Sequence, residues 1–525
     1  GSTVFLILAM LAVVVILRLT RDPAQFLADG DAAWAVQDYE TARRNYAEAL
    51  NRTRLPEGKI DLYFKLADVY QATDDWRRAL ACWEQIITTD PQNVRARLAR
   101  LKYSYIMADS LSEIGQPAST YWKDVSSQAV ELLEIARQAD LLEKDKAQWE
   151  LAFEGAEPTD WDGGIERVGP FLHFVMGRAA LELASMGTGT NPDELLVEAQ
   201  RNLGEARRRD PKNAEIYRQL GAAFQEEARV ARSRGQLDRQ EEATDRADAI
   251  LAGAIEAVGD VPGPHIDRLD RKLDEAKTRP LAEAREKMQA LEMEYRVLAE
   301  RFPASAEALS SLAQFYSLYS AYLHIDAAAT KLDRAIAAAE KSLSLDPTDV
   351  RTSRLAAGLH YRRFTLYGDE SALRKAIGLG EAALELPDCQ DVPGPRQYVG
   401  QVYRFSLCAL LGRFYLEATL LSDDATTVDA AVLARAERVV HEIEQIQGSG
   451  ENPQVLKWRG MLELARGDSG QAVRDLYAAY EQIEAASGPE DSGDAFLSYT
   501  LANLFKETPE VGAVIEFLGS ALNSG

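Results

Sequence analysis

The richest set of hard oxygen ligands in this sequence is Asp160-Trp161-Asp162-Gly163-Gly164, with Glu166 close behind. Calcium loops use alternating carboxylates of this kind, but they spread their ligands over twelve residues and close on a bidentate glutamate. That schedule is missing, so the cluster reads as a solvated turn. The five histidines, His173, His265, His324, His360 and His441, have no second histidine or cysteine three or four residues away. Helical metal sites need that spacing to aim two ligands at one ion. Cys82, Cys389 and Cys408 are too few and too scattered for a disulfide framework or a zinc site. Cys82, between Ala81 and Trp83, reads as a small buried apolar residue. No serine lies in a Gly-x-Ser-x-Gly turn, and no Gly-x-x-x-x-Gly-Lys-Ser/Thr phosphate loop is present. Gly187-Thr188-Gly189-Thr190 is a loop. The 83 acidic residues supply carboxylate pairs by number alone, so such pairs assign no glycoside chemistry. No residue is therefore assigned a catalytic, cofactor-binding or metal-binding role, and the chain is not expected to be an enzyme.

Charge narrows the partners. Against those acidic groups stand 59 lysines and arginines, a net charge of −24. Nucleic-acid binding needs a basic footprint to displace counterions, and this balance argues against it. At 525 residues and 46% hydrophobic composition, the chain can bury a continuous core or build one extended solenoid.

The elements that must carry any function are helices. Asp90-Pro91-Gln92-Asn93, Asp210-Pro211-Lys212-Asn213 and Asp346-Pro347-Thr348-Asp349 each separate two Ala-rich amphipathic stretches. Proline cannot continue a helix but suits the first turn of the next, and the Asp before it is placed to cap that next helix. Seams rich in Gly, Pro, Asp or Ser fall at Gly155–Gly169, Met186–Asn191, Val258–Pro264 and Gly448–Pro453. Val258–Pro264 is the expected hinge between residues 22–260 and 265–525. Nothing shows the alternation of strands.

Ile60 to Asn93 resembles a tetratricopeptide repeat. Tyr63, Leu66, Ala67 and Tyr70 line one helix, Trp76, Ala79 and Trp83 the next, and Asp90-Pro91 ends the unit. Phe26, Gly30, Tyr39, Ala42, Tyr46, Ala49 and Leu50 occupy the corresponding positions upstream, with Pro56 as terminator. Fragments of the pattern recur to Phe505, with stretched units at Lys102–Gln128, Arg229–Ala243 and Leu318–Asp333. The resemblance implies an all-α fold: a tetratricopeptide-like α-solenoid, a right-handed superhelix of about nine to eleven helical hairpins. It also implies that the first helix of each pair lines a concave binding face, here with Asp61, Phe64, Lys65, Asp68 and Gln71. The subgroup that clamps chaperone tails holds a carboxylate with lysine and asparagine. Asp31 and Asp68 stand where asparagine would be needed, so a basic or apolar helix or strand of another protein fits better.

The first residues are of a different composition. Thr3 to Leu19 spans 17 residues, about 26 Å of helix, just short of a hydrocarbon core. Val4, Phe5, Leu6, Ile7, Leu8, Leu11, Val14, Ile16 and Leu17 supply the apolar surface, and Arg18 is placed to snorkel. A membrane anchor through residues 3–19 is the leading reading of segment 1–21. The alternatives are an apolar helix packed in the core of a homopolymeric cell-surface filament and an uncleaved signal remnant. Subunits of type IV pilus-like filaments begin in a similar way, although Phe5 stands where that family usually carries a glutamate. Arg18 and Arg21 favour a cytoplasmic body. The leading expectation is a membrane-tethered scaffold for other proteins, or for further copies of itself. The filament subunit is the first alternative and an enzyme with an unrecognised site the second.

Overall fold

The computed structural model describes residues 22–113, 118–143, 167–187, 191–390, 397–420, 430–447, 452–486, 497–498 and 500–501. Among them the protein is all-α, with twenty α-helices and no strand. In order these are α1 (Pro23–Ala35), α2 (Tyr39–Arg52), α3 (Pro56–Ala72), α4 (Trp76–Thr89), α5 (Val94–Glu113), α6 (Ser119–Gln138) and α7 (Val168–Ser185). Then follow α8 (Pro192–Arg209), α9 (Ala214–Ser233), α10 (Leu237–Val258), α11 (Pro262–Lys277), α12 (Leu281–Arg301), α13 (Ala306–Ala321) and α14 (Ile325–Leu345). The last six are α15 (Val350–Tyr367), α16 (Glu370–Leu384), α17 (Gln397–Leu420), α18 (Ala430–Gln447), α19 (Pro453–Arg466) and α20 (Ser469–Ala486). They form consecutive hairpins of the tetratricopeptide type, each odd-numbered helix packing on the even-numbered one after it.

The Asp-Pro punctuation works differently from the expectation above. Asp90, Asp210 and Asp346 stand at the C-termini of α4, α8 and α14 and do not cap the helices that follow. The fourth residue of each motif does that. Asn93 accepts the amide of Ala96, Asn213 those of Glu215 and Ile216, and Asp349 those of Arg351 and Thr352. The proline sits in the turn, too early to be the first helical residue. Asp90 and Asp346 brace that turn by accepting the amides of Gln92 at 3.2 Å and Thr348 at 3.0 Å. Proline does open α1, α3, α8 and α19, so Pro56 begins a helix.

Close approach of paired helices requires small residues. A Cβ on Gly30 would lie 2.5 Å from the Tyr46 ring, and one on Gly460 would lie 2.7 Å from Leu476. Both contacts join the first helix of a pair to the second at the same offset of sixteen residues. Ala42, Ala67 and Ala79 are completely buried at the same kind of contact, and Tyr46 and Trp83 fill the space between. Each large ring or branched chain removed from water contributes about 2 kcal/mol. In the stretched unit at Arg229–Ala243 the helices lengthen while the loop stays short. α9 and α10 have 20 and 22 residues, and residues 234–236 suffice to join them. Of the expected seams, Gly169 lies in the first turn of α7, and Pro262–Pro264 lie in the first turn of α11.

The chain divides into two compact units, with the changeover after Arg268 inside α11 and residues 397–398 grouped with the first. The first contains a large core centred on α5 to α9, including Trp122, Phe171 and Phe174. The second is centred on α15 to α20, with Phe414, Trp458 and Leu476.

Candidate binding faces

In the first unit, side chains of successive odd-numbered helices meet through charge. Asp31 on α1 accepts the Tyr46 hydroxyl at 2.8 Å and the Lys65 ammonium of α3 at 2.7 Å. Lys65 also lies 5.6 Å from the centre of the Tyr46 ring. Burial and the Asp31 charge push the Tyr46 phenol well above its ordinary pKa. Phe64 is 8% exposed and lies beneath Arg95 of α5, whose guanidinium is 3.9 Å from the ring centre. Burial draws the Arg95 pKa down, opposed by the carboxylates of Asp68 and Asp61. Asp61 is exposed, while Lys65, Asp68 and Gln71 are half-buried. Asp61, Lys65, Asp68 and Gln71 share one side of α3 at 100° per residue, whereas Phe64 is covered by Arg95 and does not line the surface.

The same face continues. Arg178 of α7 bonds Asp109 of α5, sits 3.7 Å from Glu182 and 3.9 Å from Glu215 of α9, and lies 6.0 Å from the Trp122 ring. Burial pushes the Glu182 carboxyl up, and the Arg178 charge opposes it. Arg218 of α9 then donates through Nε to both oxygens of Asp267 on α11, each at 3.0 Å.

In the second unit the charged contacts move to the even-numbered helices. Glu292 of α12 accepts from Lys331 at 2.6 Å and from Arg334 at 2.7 Å, both on α14, and from Tyr316 at 3.2 Å. Burial raises the Glu292 pKa, but the Lys331 hydrogen bond and charge outweigh it, and the carboxyl lies below its ordinary value. Glu340 of α14 pairs with Lys375 of α16 and accepts from His360 at 2.9 Å. Glu381 of α16 lies 3.4 Å from Arg435 of α18.

The odd-numbered face of this unit is held by hydroxyls. Arg351 of α15 donates to Tyr403 of α17 at 2.7 Å, and Arg354 donates to Ser406 at 3.1 Å. Arg362 donates to the Ser317 carbonyl at 3.1 Å and the Ser320 hydroxyl at 2.9 Å on α13. Arg413 of α17 donates to Tyr361 at 2.8 Å. The sequence reading did not single out these arginines. Their signal is that α15 carries four arginines and no acidic residue.

Other candidates sort by burial. His173 lies 3.3 Å from Asn202, and His360 is buried against Glu340. Burial holds both imidazoles below their ordinary pKa. His441 is exposed. Cys82, Cys389 and Cys408 are buried, and burial pushes the Cys82 and Cys389 thiols up to about 11. Among the described residues no group of three or more His, Cys, Asp or Glu side chains is placed to hold a metal ion. Asp160–Glu166 and the apolar stretch Val4–Arg18 lie outside the described residues. Among those described, no helix is long and apolar enough to cross a membrane.

No protein-family model matches this sequence, and no characterised protein matches it by sequence. Among solved structures the chain is similar to the APC/C hetero-tetramer Cut9–Hcn1, with 16% identity, a TM-score of 0.30, and coverage of 97% of this chain and 88% of that one. It is also similar to yeast Tom70, with 14% identity, a TM-score of 0.28, and 94% and 99% coverage. The human IFIT1 dimer with PPP-AAAA gives 13% identity, a TM-score of 0.30, and 87% and 89% coverage.

Proposed function

We propose that this protein is a non-catalytic scaffold that binds other proteins through the odd-helix face of its hairpins and is tethered to a membrane by residues 3–19. The observation that carries the binding role is the ledge of Asp31, Asp61, Lys65, Asp68 and Arg95. Residues 34 positions apart come side by side there, and one carboxylate is left in excess. Such a ledge recognises a segment bearing lysine or arginine beside an apolar side chain. The tether rests on the uninterrupted apolar composition of Val4–Leu17. The scaffold acts by positioning, since a tethered array raises the effective concentration of whatever it holds.

A random-peptide library selected on the full chain should return basic segments with an apolar residue. Selection on a chain carrying Asp61→Lys and Asp68→Lys should lose them. Equal recovery of the same peptides by both chains would overturn the ledge as the binding face. For the tether, the full chain should float with lipid vesicles and a chain beginning at Asp22 should not.

A further inference from the structure

The odd-helix face of the second unit is basic within an acidic chain, and we propose that it binds an acidic, extended segment of a partner protein. The proposal rests on the scaffold reading but uses a different surface. On α15, Arg363 turns away to pair with Asp333 at 2.6 Å and Asp369 at 3.0 Å. Arg351, Arg354 and Arg362 fall on one side of the helix at 100° per residue, and Arg413 joins them from α17.

Arg354 and Arg362 donate to neutral oxygens, and no described carboxylate lies within 4.0 Å of either. A guanidinium has five donors in a planar fork that matches a carboxylate in two parallel bonds. A serine hydroxyl or a carbonyl orients that fork without neutralising it. The equivalent cations of the first unit, Lys65 and Arg178, already hold carboxylates. The α15 face therefore presents oriented positive charge with donors to spare.

Its shape suits a peptide. Gly358 lies four residues from both Arg354 and Arg362, and a Cβ there would meet nothing within 4 Å. A recess thus opens at Gly358, beside the half-buried Leu355, and the two guanidiniums lie on opposite flanks of α15, at Ser406 of α17 and Ser320 of α13. Eight helical residues separate the two Cα atoms by about 12 Å along the axis, and the side chains diverge further, towards α17 and α13. In an extended chain, same-side residues four apart are about 13 Å apart. The recognised pattern is thus two carboxylates at least four residues apart, with the backbone between them crossing over Gly358. Nucleic acid fits less well. Single-strand binders stack bases on exposed rings, whereas here Tyr361 is buried and the half-exposed Tyr403 has the Arg351 guanidinium 6.0 Å from its ring centre. The overall charge of −24 also repels a long polyanion more than a short segment that meets its local field.

The test is fluorescence anisotropy of the full chain with a fluorescein-labelled peptide of Ser, Thr and Val carrying two glutamates four residues apart. Saturable binding should weaken by about tenfold or more with Arg354→Glu or Arg362→Glu. Arg354 is exposed, so its melting temperature should not change. Gly358→Leu should weaken the peptide with no change of charge and no loss of melting temperature. Absence of binding, or full affinity in both arginine variants, would overturn the proposal. So would an RNA oligonucleotide of equal charge that binds more tightly with the same arginine dependence. Unaltered affinity in Gly358→Leu would overturn the placement of the segment over the recess. Asp61→Lys with Asp68→Lys should leave this peptide unaffected, so failure of the ledge and failure of the arginine face register separately.

Discussion

The two units join their repeats by opposite faces. In the first, ion pairs link odd-numbered helices: Asp31 to Lys65, Asp109 to Arg178, and Arg218 to Asp267, while the Asp61 and Asp68 charges act on Arg95. Asp193 to Arg239, between α8 and α10, is an even-helix exception at 2.7 Å. In the second, the pairs link even-numbered helices: Glu292 to Lys331, Glu340 to Lys375, and Glu381 to Arg435. There the odd-numbered face is joined by arginine–hydroxyl bonds. The lesson is that one backbone plan leaves the choice of charged seam open. In the second unit this leaves Arg354 and Arg362 of the odd-numbered face bonded to neutral oxygens.

Several substitutions sharpen or break this contrast. The largest effect is expected from Ala79→Glu, which buries a charge at a helix contact with no exposure at all and should cost about 3–5 kcal/mol. Because solenoid repeats contact their neighbours, hydrogen exchange should quicken in α1–α6 and stay unchanged in α15–α20. Uniform loss of protection would deny the units separate stability.

Next comes a matched pair of seam deletions. Glu292→Ala strands Lys331 and Arg334 beside a carboxylate site that is only 14% exposed, and should cost about 2–3 kcal/mol. Asp31→Ala removes an ion pair whose side chains are 37% and 47% exposed, and should cost about 1 kcal/mol or less. Denaturant melts decide it, and equal costs would remove the distinction between buried and exposed seams.

Acid should act with opposite sign on two carboxylates. Glu340 lies below its ordinary 4.5: burial raises it, but Lys375 and His360 outweigh burial. Its contribution is present above that value and is lost as pH falls through the lower folded one. Glu182 lies above 4.5 because of burial, so its contribution is present below 4.5 and is lost as pH rises through the higher folded value. As pH falls below 4.5, Glu340→Gln should flatten a decline, and between pH 7 and 4.5 Glu182→Gln should remove a gain, both read from melting temperature against pH.

The smallest effect is a gain. Gly204 on α8 and Gly378 on α16 have open space where a Cβ would go. Alanine at either should stabilise by about 0.5–1 kcal/mol, equally in the two units. A loss at one position would reveal a contact made there.

Helices and their pairing were legible because proline and small residues leave periodic marks. Gly30 and Ala42 fall where a 34-residue repeat needs them, and the structure buries both. The ledge was legible as a set of positions, but its pairing was not. Lys65 reads as an outward cation until Asp31 is placed beside it, although the repeat length itself is that separation. In the second unit the partners lie 35 and 39 residues apart, because α12 and α14 have 21 residues each and carry the register past one repeat. The arginines of α15 escaped notice for a related reason. A cation's meaning depends on what faces it, and the serines and tyrosines that face these are up to 52 positions away.

The order of signs along each seam bears on how such an array changes over generations. In the second unit the acid always precedes the base, so removing or adding a whole hairpin still sets a glutamate against a lysine or arginine. Without α13–α14, Glu292 would meet Lys375. In the first unit the order reverses at Arg178, which serves Asp109 before it and Glu215 after it. Excising α7–α8 would set those two carboxylates against each other. Length variation among descendants of this chain is therefore expected in the second half, while α7–α8 stays as the piece around which the first half is fixed.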